Sequence, residues 1–178
     1  GGFVIEDFED HLLNSPGLFA ASGIVTSNAF SGSIIDSVDG DDGVVGSNDC
    51  MNCDSFYGGA LPSLTFSFEP THLGGLPTWA GLVWTDGGPT ATVTFEAFDS
   101  LGASLGTAVG VGQGDNTYFG TSVDDRFYGV HAIGGISGIQ GSHTLGGLEA
   151  DHIQYDLPCP DADALIYCTS KTNTLACL

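Results

Sequence analysis

The sequence predicts an all-β fold, an antiparallel β-sandwich of the jelly-roll type, and three observations support this prediction. The 178-residue chain contains 28 glycines, and Gly or Asp stands at nearly every junction between short apolar segments. About nine such segments recur at intervals of roughly 8–12 residues, as the strands of a sandwich do. Hydrophobic residues make up 42% of the chain, so a core can form despite the high charge, and a disordered chain is not expected.

The predicted strands are short and are separated by turn residues. In chain order they are residues 3–8, one or two strands within 18–30, 63–69, 78–86, 90–99, a hairpin partner at 103–112, 126–133, 135–141 and 148–157. The segments SLTFSFE (63–69) and TATVTFEAFD (90–99) alternate apolar and polar side chains, which is the pattern of a half-buried antiparallel strand. The residues from about 31 to 59 are expected to form one long acidic loop.

The composition changes at Pro158, which suggests a boundary. Residues 1–157 are predicted to form the sandwich domain, and residues 158–178 a Cys-rich tail or linker. This tail holds three of the five cysteines and the only lysine of the chain.

The charge of the chain excludes several classes of partner. Twenty-two acidic residues face only Arg126 and Lys171, which gives a net charge of −20. A nucleic-acid-binding protein needs cations to displace the counterions of the phosphates, so nucleic acid is excluded. Because no apolar run reaches the ~18 residues of a membrane span, membrane insertion is not expected. Self-repulsion at this charge is relieved by a saline medium or by bound divalent cations.

The five cysteines favour an oxidising compartment, so the chain is predicted to be secreted or to lie at the cell surface. Cys50 and Cys53 have the C-x-x-C spacing of a redox pair or of half a zinc site. The sequence shows no βαβ setting for a redox pair and no second C-x-x-C for zinc, so a local disulfide is favoured. Cys168 and Cys177 are predicted to close a small loop in the tail, and the fate of Cys159 stays open.

Six motifs occur in order along the chain. They are DSVDGDDGVVG (36–46), LGGLPTWAGLVWTDG (73–87), VTFEAFD (93–99), DDRFYGV (124–130), GGISGI (134–139) and GGLEADHIQY (146–155). Together they resemble a family of secreted bacterial jelly-roll domains of planctomycete-type surface proteins, similar to carbohydrate-binding β-sandwiches. The tail YCTSKTNTLACL resembles the short Cys motif that follows such domains. The resemblance implies the sandwich fold and an extracellular location, and it implies no particular activity.

Two groups of carboxylates suggest a structural calcium ion. The first lies in a Gly- and Ser-rich segment that can fold back to offer several oxygen ligands, although its spacing is not that of an EF-hand. Its members are Asp36, Asp39, Asp41 and Asp42. A solvated acidic loop and another metal are the alternatives. Carbohydrate-binding jelly rolls of the similar type hold calcium between the first and last strands, which implies Glu9 and Asp151 as further ligands. His152 is expected to face the core.

Exposed aromatic side chains are the candidates for carbohydrate binding. Trp79 and Trp84 are five residues apart, so on one strand they face opposite sides, and one of them is expected in the core. The outward ring, together with Tyr57 or Tyr118, would stack on a sugar. Burial in the core is the alternative for each of these aromatic residues.

No catalytic set of residues stands out in the sequence. With 22 acidic residues, some pair of carboxylates can always be drawn, so such a pair carries no information about a glycosidase. The leading hypothesis is a non-catalytic extracellular structural or adhesive module, stabilised by calcium and able to assemble with copies of itself into a fibre or layer. The alternative is a carbohydrate-binding module whose partners are surface glycans.

Overall fold

Two antiparallel β-sheets pack face to face in this protein. The computed structural model describes residues 2–26, 54–85, 87–114 and 124–158. Within these ranges the strands are β1 (Phe3–Glu6), β2 (Leu18–Ala20), β3 (Ile24–Thr26), β4 (Ser55–Gly59), β5 (Leu64–Phe68), β6 (Trp79–Trp84), β7 (Ala91–Phe98), β8 (Ser104–Gln113), β9 (Arg126–His131), β10 (Gly138–His143) and β11 (Leu148–Asp156). One short helix, α1 (Pro70–Leu73), follows β5. No helix among the described residues is long and apolar enough to cross a membrane.

The strands divide into a six-stranded and a five-stranded sheet. The six-stranded sheet has the order β3-β4-β11-β6-β9, and β1 also pairs with β11. The five-stranded sheet has the order β2-β5-β10-β7-β8. Strand β11 is long enough to pair with β4 near its start and with β1 near its end. The first and last of the described strands are therefore neighbours, as the resemblance to carbohydrate-binding jelly rolls implies.

The core lies between the two sheets and takes side chains from both. Strand β7 shows how the alternating sequence pattern builds this core. Its residues Val93, Phe95 and Ala97 are buried, while the residues between them are half-buried. Aromatic rings join the sheets: the centroids of Phe68 and Tyr155 lie 5.1 Å apart. Full burial of a large apolar side chain contributes about 1.5–3 kcal/mol, so these rows hold the sandwich together.

The predicted sandwich is confirmed, and one segment was assigned wrongly. Residues Ser55–Gly59, which were expected in the acidic loop, form β4 and pair with β3 and β11. The error has a physical reason. Only Phe56 gives this strand an apolar core residue, and the two glycines that end it look like a turn. Gly58 is needed because a Cβ there would lie 2.9 Å from the Cδ2 atom of Leu64.

Strand β11 contains a bulge that changes where its side chains point. Its pairing with β6 shifts between Asp151 and Gln154, and His152 has a φ of +44°. The prediction that His152 faces the core is wrong, because the bulge adds a residue to the alternation and Ile153 takes the core position. The imidazole lies instead beside Asp151, with Nδ1 3.2 Å from Oδ2.

Candidate functional site

The outer face of the six-stranded sheet, which points away from the core, carries two contrasting groups of side chains. Leu82 and Trp84 of β6 and Ala150 of β11 belong to the core, so the residues that alternate with them face outward. One end of this face is aromatic and exposed, and we call it the aromatic groove: Phe3, Trp79, Phe127, His131 and Gln154. The other end is rich in carboxyl groups that are largely buried, and we call it the acidic end: Asp54, Asp124, Asp125, Glu149 and Asp151.

Trp79 is the central residue of the aromatic groove. It begins β6 opposite His131 of β9, and the two rings stack with their centroids 4.0 Å apart and an angle of 18° between their planes. The Trp79 side chain remains 48% exposed. Because the imidazole and the strand already hold the indole, a ligand that stacks on it loses little side-chain entropy on binding.

Asp156 fixes the backbone on which Trp79 sits. Its Oδ1 atom accepts hydrogen bonds from the N–H groups of Thr78 and Trp79, both at 2.7 Å, and its Oδ2 atom accepts one from the Thr78 hydroxyl at 2.8 Å. Hydrogen bonds to a carboxylate are stronger than those between neutral groups. The start of β6 is therefore anchored to the end of β11, and the carboxylate of Asp156 accepts hydrogen bonds from the backbone there.

Two glycines allow Phe127 to lie against the sheet on the other side of the groove. Gly81 of β6 and Gly129 of β9 are cross-strand partners. A Cβ at Gly81 would lie 2.5 Å from the Cζ atom of Phe127, and a Cβ at Gly129 would lie 2.7 Å from its Cε1 atom. The Phe127 ring thus occupies the space above both glycines, and any larger residue at these positions would displace it.

The space between these rings is a groove of about 320 Å³. Its lining includes Phe3, Trp79 and Phe127 as apolar surfaces and His131 and Gln154 as polar groups, and among the described residues no Asp, Glu, Lys or Arg takes part in it. An amide both donates and accepts hydrogen bonds, and an imidazole can do either. The arrangement can therefore stack on a flat apolar surface and hydrogen-bond to hydroxyl groups at its rim.

The acidic end buries charge instead of exposing apolar surface. Glu149 and Asp151 are two residues apart on β11 and point to the same side, and both are fully buried. Neither carboxylate oxygen of Asp125 accepts a hydrogen bond from a described residue. Burial, and after it the charges of Asp124 and Asp151, raise the pKa of Asp125 to about 7. A buried carboxylate of this kind opposes folding unless a proton or a cation neutralises it.

Asp54 links this cluster to the loop that follows β1. Burial raises the pKa of Asp54, the charges of Asp151 and Asp10 raise it further, and the contact between its Oδ2 atom and Nδ1 of His11 opposes the rise. The same contact raises the pKa of His11. The N–H of Asp54 donates to Oε1 of Glu9 at 3.2 Å. Glu9 and Asp151 therefore both lie close to Asp54.

Glu6 gives the loop after β1 its shape. Its Oε1 atom accepts a hydrogen bond from the N–H of Phe8 at 3.2 Å. Its Oε2 atom accepts hydrogen bonds from the N–H groups of Asn14 at 2.9 Å and Ser15 at 2.8 Å. The carboxylate is buried, so it satisfies three backbone donors that solvent reaches poorly.

Only two of the six predicted calcium ligands belong to the residues that the structure describes. It brings Glu9 and Asp151 to the acidic end, whereas Asp36, Asp39, Asp41 and Asp42 lie outside the described residues. Within the described ranges, no group of three or more His, Cys, Asp or Glu side chains is placed to hold a metal ion. Calcium binding therefore stays a prediction that depends on ligands from residues 36–42.

The predicted sugar-binding aromatics separate into three cases. Trp79 faces outward in the groove, and Trp84 faces the core, where it is 1% exposed and donates from Nε1 to Nδ1 of His143 at 3.1 Å. The suggestion that Trp84 stacks on a sugar is wrong because no face of its ring is accessible. Tyr57 is half-buried on β4, opposite Glu149 at the acidic end. Tyr118 lies outside the described residues, as do all of the predicted disulfide cysteines, Cys50, Cys53, Cys168 and Cys177.

The sequence did not predict a binding role for four residues of the groove, namely Phe3, Phe127, His131 and Gln154. The segment RFYGVH (126–131) did hold a signal, because Phe127, Gly129 and His131 recur with a period of two and share one face of β9. Gln154 could not be placed in this way, since the bulge in β11 breaks the alternation before it.

Three solved structures are similar to this chain, and the first of them supports the sandwich fold. The K2 cleaved adhesin domain of Lys-gingipain aligns with a TM-score of 0.51 and 9% identity over 87% of this chain and 99% of that domain. The K1 cleaved adhesin domain of Lys-gingipain from Porphyromonas gingivalis W83 aligns with a TM-score of 0.46 and 13% identity over 89% of this chain and 100% of that domain. TmCBM61, solved in complex with β-1,4-galactotriose, gives a TM-score of 0.41 and 13% identity over 84% of this chain and 92% of that chain. No family model and no curated protein matches the sequence.

Proposed function

We propose that this chain is a non-catalytic adhesive module that binds carbohydrate in the aromatic groove. The observation that carries the proposal is the exposed indole of Trp79, stacked on His131 and placed beside Phe127 and Gln154 on paired strands. The C–H face of a pyranose is flat and apolar, so it complements such a ring. Its hydroxyl groups complement the amide and the imidazole. Exposed apolar surface that is contiguous marks binding sites on soluble domains.

The net charge of the chain favours uncharged carbohydrates over acidic ones as ligands. The net charge is −20, and the described residues that line the groove include no Lys or Arg that could pair with an acidic sugar. Uronic acids and sulfated sugars would be repelled by the field of the whole domain. The proposed ligands are therefore uncharged glycans, which stack and hydrogen-bond without charge pairing.

The proposal of a non-catalytic role is supported by the chemistry of the groove. Hydrolysis of a glycosidic bond uses two carboxyl groups that flank it, and within the described ranges no carboxyl group lines the groove. The pattern G-x-S-x-G does occur at residues 102–106, but it spans the end of the hairpin turn and the first residues of β8 and does not form a strand-to-helix elbow. The Ser104 hydroxyl there accepts a hydrogen bond from the N–H of Gly106 at 3.2 Å.

A glycan array followed by calorimetric titration of the best uncharged ligand tests this proposal. We expect Trp79→Ala to weaken binding by at least about tenfold, which corresponds to about 1.4 kcal/mol. Phe19→Ala is the matched control, because Phe19 is an aromatic residue of similar exposure on the other sheet. Its affinity should equal that of the wild type.

Two outcomes would refute the carbohydrate site. One is an array on which no uncharged glycan binds. The other is a ligand whose affinity is unchanged in Trp79→Ala, since that ligand would occupy a different surface. Unaltered thermal unfolding of Trp79→Ala would show that the loss of affinity comes from the groove itself.

The remaining parts of the proposed function concern the setting of the module. We propose an extracellular location, which the acidic, Cys-containing composition supports. We also propose that calcium neutralises the acidic end, which the buried carboxyl groups there support. Assembly with copies of the same chain is the third part. Each of these parts can fail while the carbohydrate site stands.

A further inference from the structure

The aromatic groove holds two exposed rings that stand two strands apart, Phe3 of β1 and Trp79 of β6. Phe3 pairs with Asp156 of β11. From the other side, the register that pairs Tyr155 with Ala80 places Trp79 beside the same Asp156. Phe3 and Trp79 therefore lie in one row across the sheet, and both line the groove. They are 63% and 48% exposed, and we call the space between them the slot.

One face of the Trp79 indole is turned toward the slot. His131 belongs to β9, which lies on the side of β6 away from β11. Its imidazole is stacked on the indole with 18° between the two planes, so it covers the face of the indole on the β9 side. The opposite face is therefore directed toward β11 and β1, where Phe3 stands.

The width of the slot fits one sugar ring. Neighbouring strands lie about 4.8 Å apart, so β1 and β6 are separated by about 9.6 Å. A ring stacked between two aromatic rings needs two carbon–carbon contacts of about 3.5–4.0 Å each, or about 7–8 Å in all. Two sugar rings would need a third such contact and would exceed the separation of the strands. The slot therefore has room for a single pyranose, which contacts Phe3 with one face and Trp79 with the other.

We propose, on the premise that the aromatic groove binds carbohydrate, that its ligands are β-linked glycans of pyranoses whose hydroxyl groups are all equatorial, as in glucose and xylose. A single aromatic surface tolerates an axial hydroxyl group, because the sugar can turn the face that carries it toward water. Between Phe3 and Trp79 both faces of the sugar are covered, so an axial hydroxyl group loses its hydrogen bonds to water. Galactose and mannose each carry an axial hydroxyl group and are disfavoured. Phe3 is therefore the residue that determines specificity.

Gln154 suits the same orientation of the sugar. It is the next outward residue of β11 beside the slot, where it pairs with Ile5 of β1 and with Gly81 of β6. Equatorial hydroxyl groups radiate from the edge of a pyranose, so a ring that stands between Phe3 and Trp79 directs some of them down to the sheet. The amide of Gln154 both donates and accepts hydrogen bonds, and it can therefore bind these groups.

Calorimetric titration with the β-1,4-linked trisaccharides of glucose, galactose and mannose tests this proposal. We expect the glucose ligand to bind at least about tenfold more tightly than the other two. Phe3→Ala should weaken binding of the glucose ligand by about tenfold and remove most of this preference, because one face of the sugar is then open to water. Ile5→Ala is the matched control and should leave all three affinities unchanged. Ile5 is the next outward residue of β1, is 52% exposed and is not among the described residues that line the groove.

Nuclear Overhauser effects in the complex with the glucose ligand test the orientation of the sugar. Hydrogens on one face of a pyranose should contact Trp79, and those on its opposite face should contact Phe3. Both variants replace exposed side chains, and thermal unfolding verifies that each variant folds.

The outcomes separate the slot from the carbohydrate site itself. A galactose or mannose ligand that binds as tightly as the glucose ligand, with an affinity that Trp79→Ala abolishes, would overturn the slot and leave the carbohydrate site standing. An affinity for the glucose ligand that Phe3→Ala leaves unchanged would overturn the slot in the same way. If no uncharged glycan binds with an affinity that depends on Trp79, the carbohydrate site fails and the slot fails with it.

Discussion

The two ends of the outer face of the six-stranded sheet differ in opposite ways from the usual distribution of side chains in a folded protein. At the aromatic groove, Phe3, Trp79 and Phe127 leave apolar surface in contact with water. At the acidic end, Glu149 and Asp151 place carboxyl groups out of contact with it. Strands β6, β9 and β11 run through both ends, so strand pairing alone explains neither. The exposed rings contribute little to the stability of the fold, whereas the buried carboxyl groups lower it, and a different partner would favour each end.

The difference shows where the molecule is expected to respond to its surroundings. Apolar exposure is relieved by a ligand that covers the rings, and this leaves the fold unchanged. Buried carboxyl groups are relieved by protons or cations, and this alters the stability of the fold itself. We therefore expect substitutions at the groove to change affinity and substitutions at the acidic end to change unfolding.

The largest effect is expected from Glu6→Ala, which loosens the loop that carries Glu9 to the acidic end. Three backbone N–H groups lose their acceptor, so the free energy of unfolding should fall by about 2–4 kcal/mol in denaturant titration. Asp7→Ala is the control, because the carboxylate of Asp7, the residue that follows Glu6, is exposed. This substitution should change the free energy of unfolding by less than about 0.5 kcal/mol. Equal losses in the two variants would show that Glu6 has no special role.

A smaller effect is expected from calcium. If the ion binds at the acidic end, thermal unfolding in calcium should occur at a higher temperature than in chelator, and a concentration of 100 times Kd contributes about 2.7 kcal/mol. Asp151→Asn should remove most of this difference. Glu96→Gln, on strand β7 of the other sheet, should keep it. Identical unfolding in calcium and in chelator would exclude a structural calcium ion.

The smallest effect concerns pH in the absence of divalent cations. The pKa of Asp125 is about 7 in the folded chain and near 3.8 when the group is unperturbed, so between these values the folded chain binds more protons than the unfolded chain. Stability should therefore be greatest below pH 4 for this group and should fall as the pH rises to about 7. Because the side chain is partly exposed, we expect a change of only about 1 kcal/mol.

Substitution separates this effect from the general self-repulsion of an acidic chain. Asp125→Asn should raise stability at pH 8 and flatten its pH dependence between pH 4 and 7. Asp7→Asn removes one exposed charge and should leave the slope unchanged. A slope that both variants retain would place its origin outside Asp125.

Much of the fold could be predicted because the strands carry their own pattern. Strand β7 alternates without interruption, so both its limits and its buried face followed from the sequence. Strand β4 could not be found in this way, since a single buried phenylalanine followed by two glycines resembles a turn. Its place in the sheet depends on β3 and β11, which lie far away in the sequence.

The site was predicted less completely because it is assembled across strands. The opposite orientations of Trp79 and Trp84 followed from their spacing alone. The stacking of His131 on Trp79 depends on the register between β6 and β9, and no local pattern specifies a register. His152 was placed wrongly for a related reason, since a bulge cannot be read from residue types.

The most direct test of the proposed carbohydrate site uses the two tryptophans of the chain as probe and internal control. Each indole N–H gives a separate signal in a proton–nitrogen NMR spectrum, and a soluble uncharged oligosaccharide selected on the array can be titrated in. We predict that the Trp79 signal shifts until the site is saturated, while the buried Trp84 signal, hydrogen-bonded to His143, stays in place. A binding glycan that leaves the Trp79 signal unmoved would contradict the account.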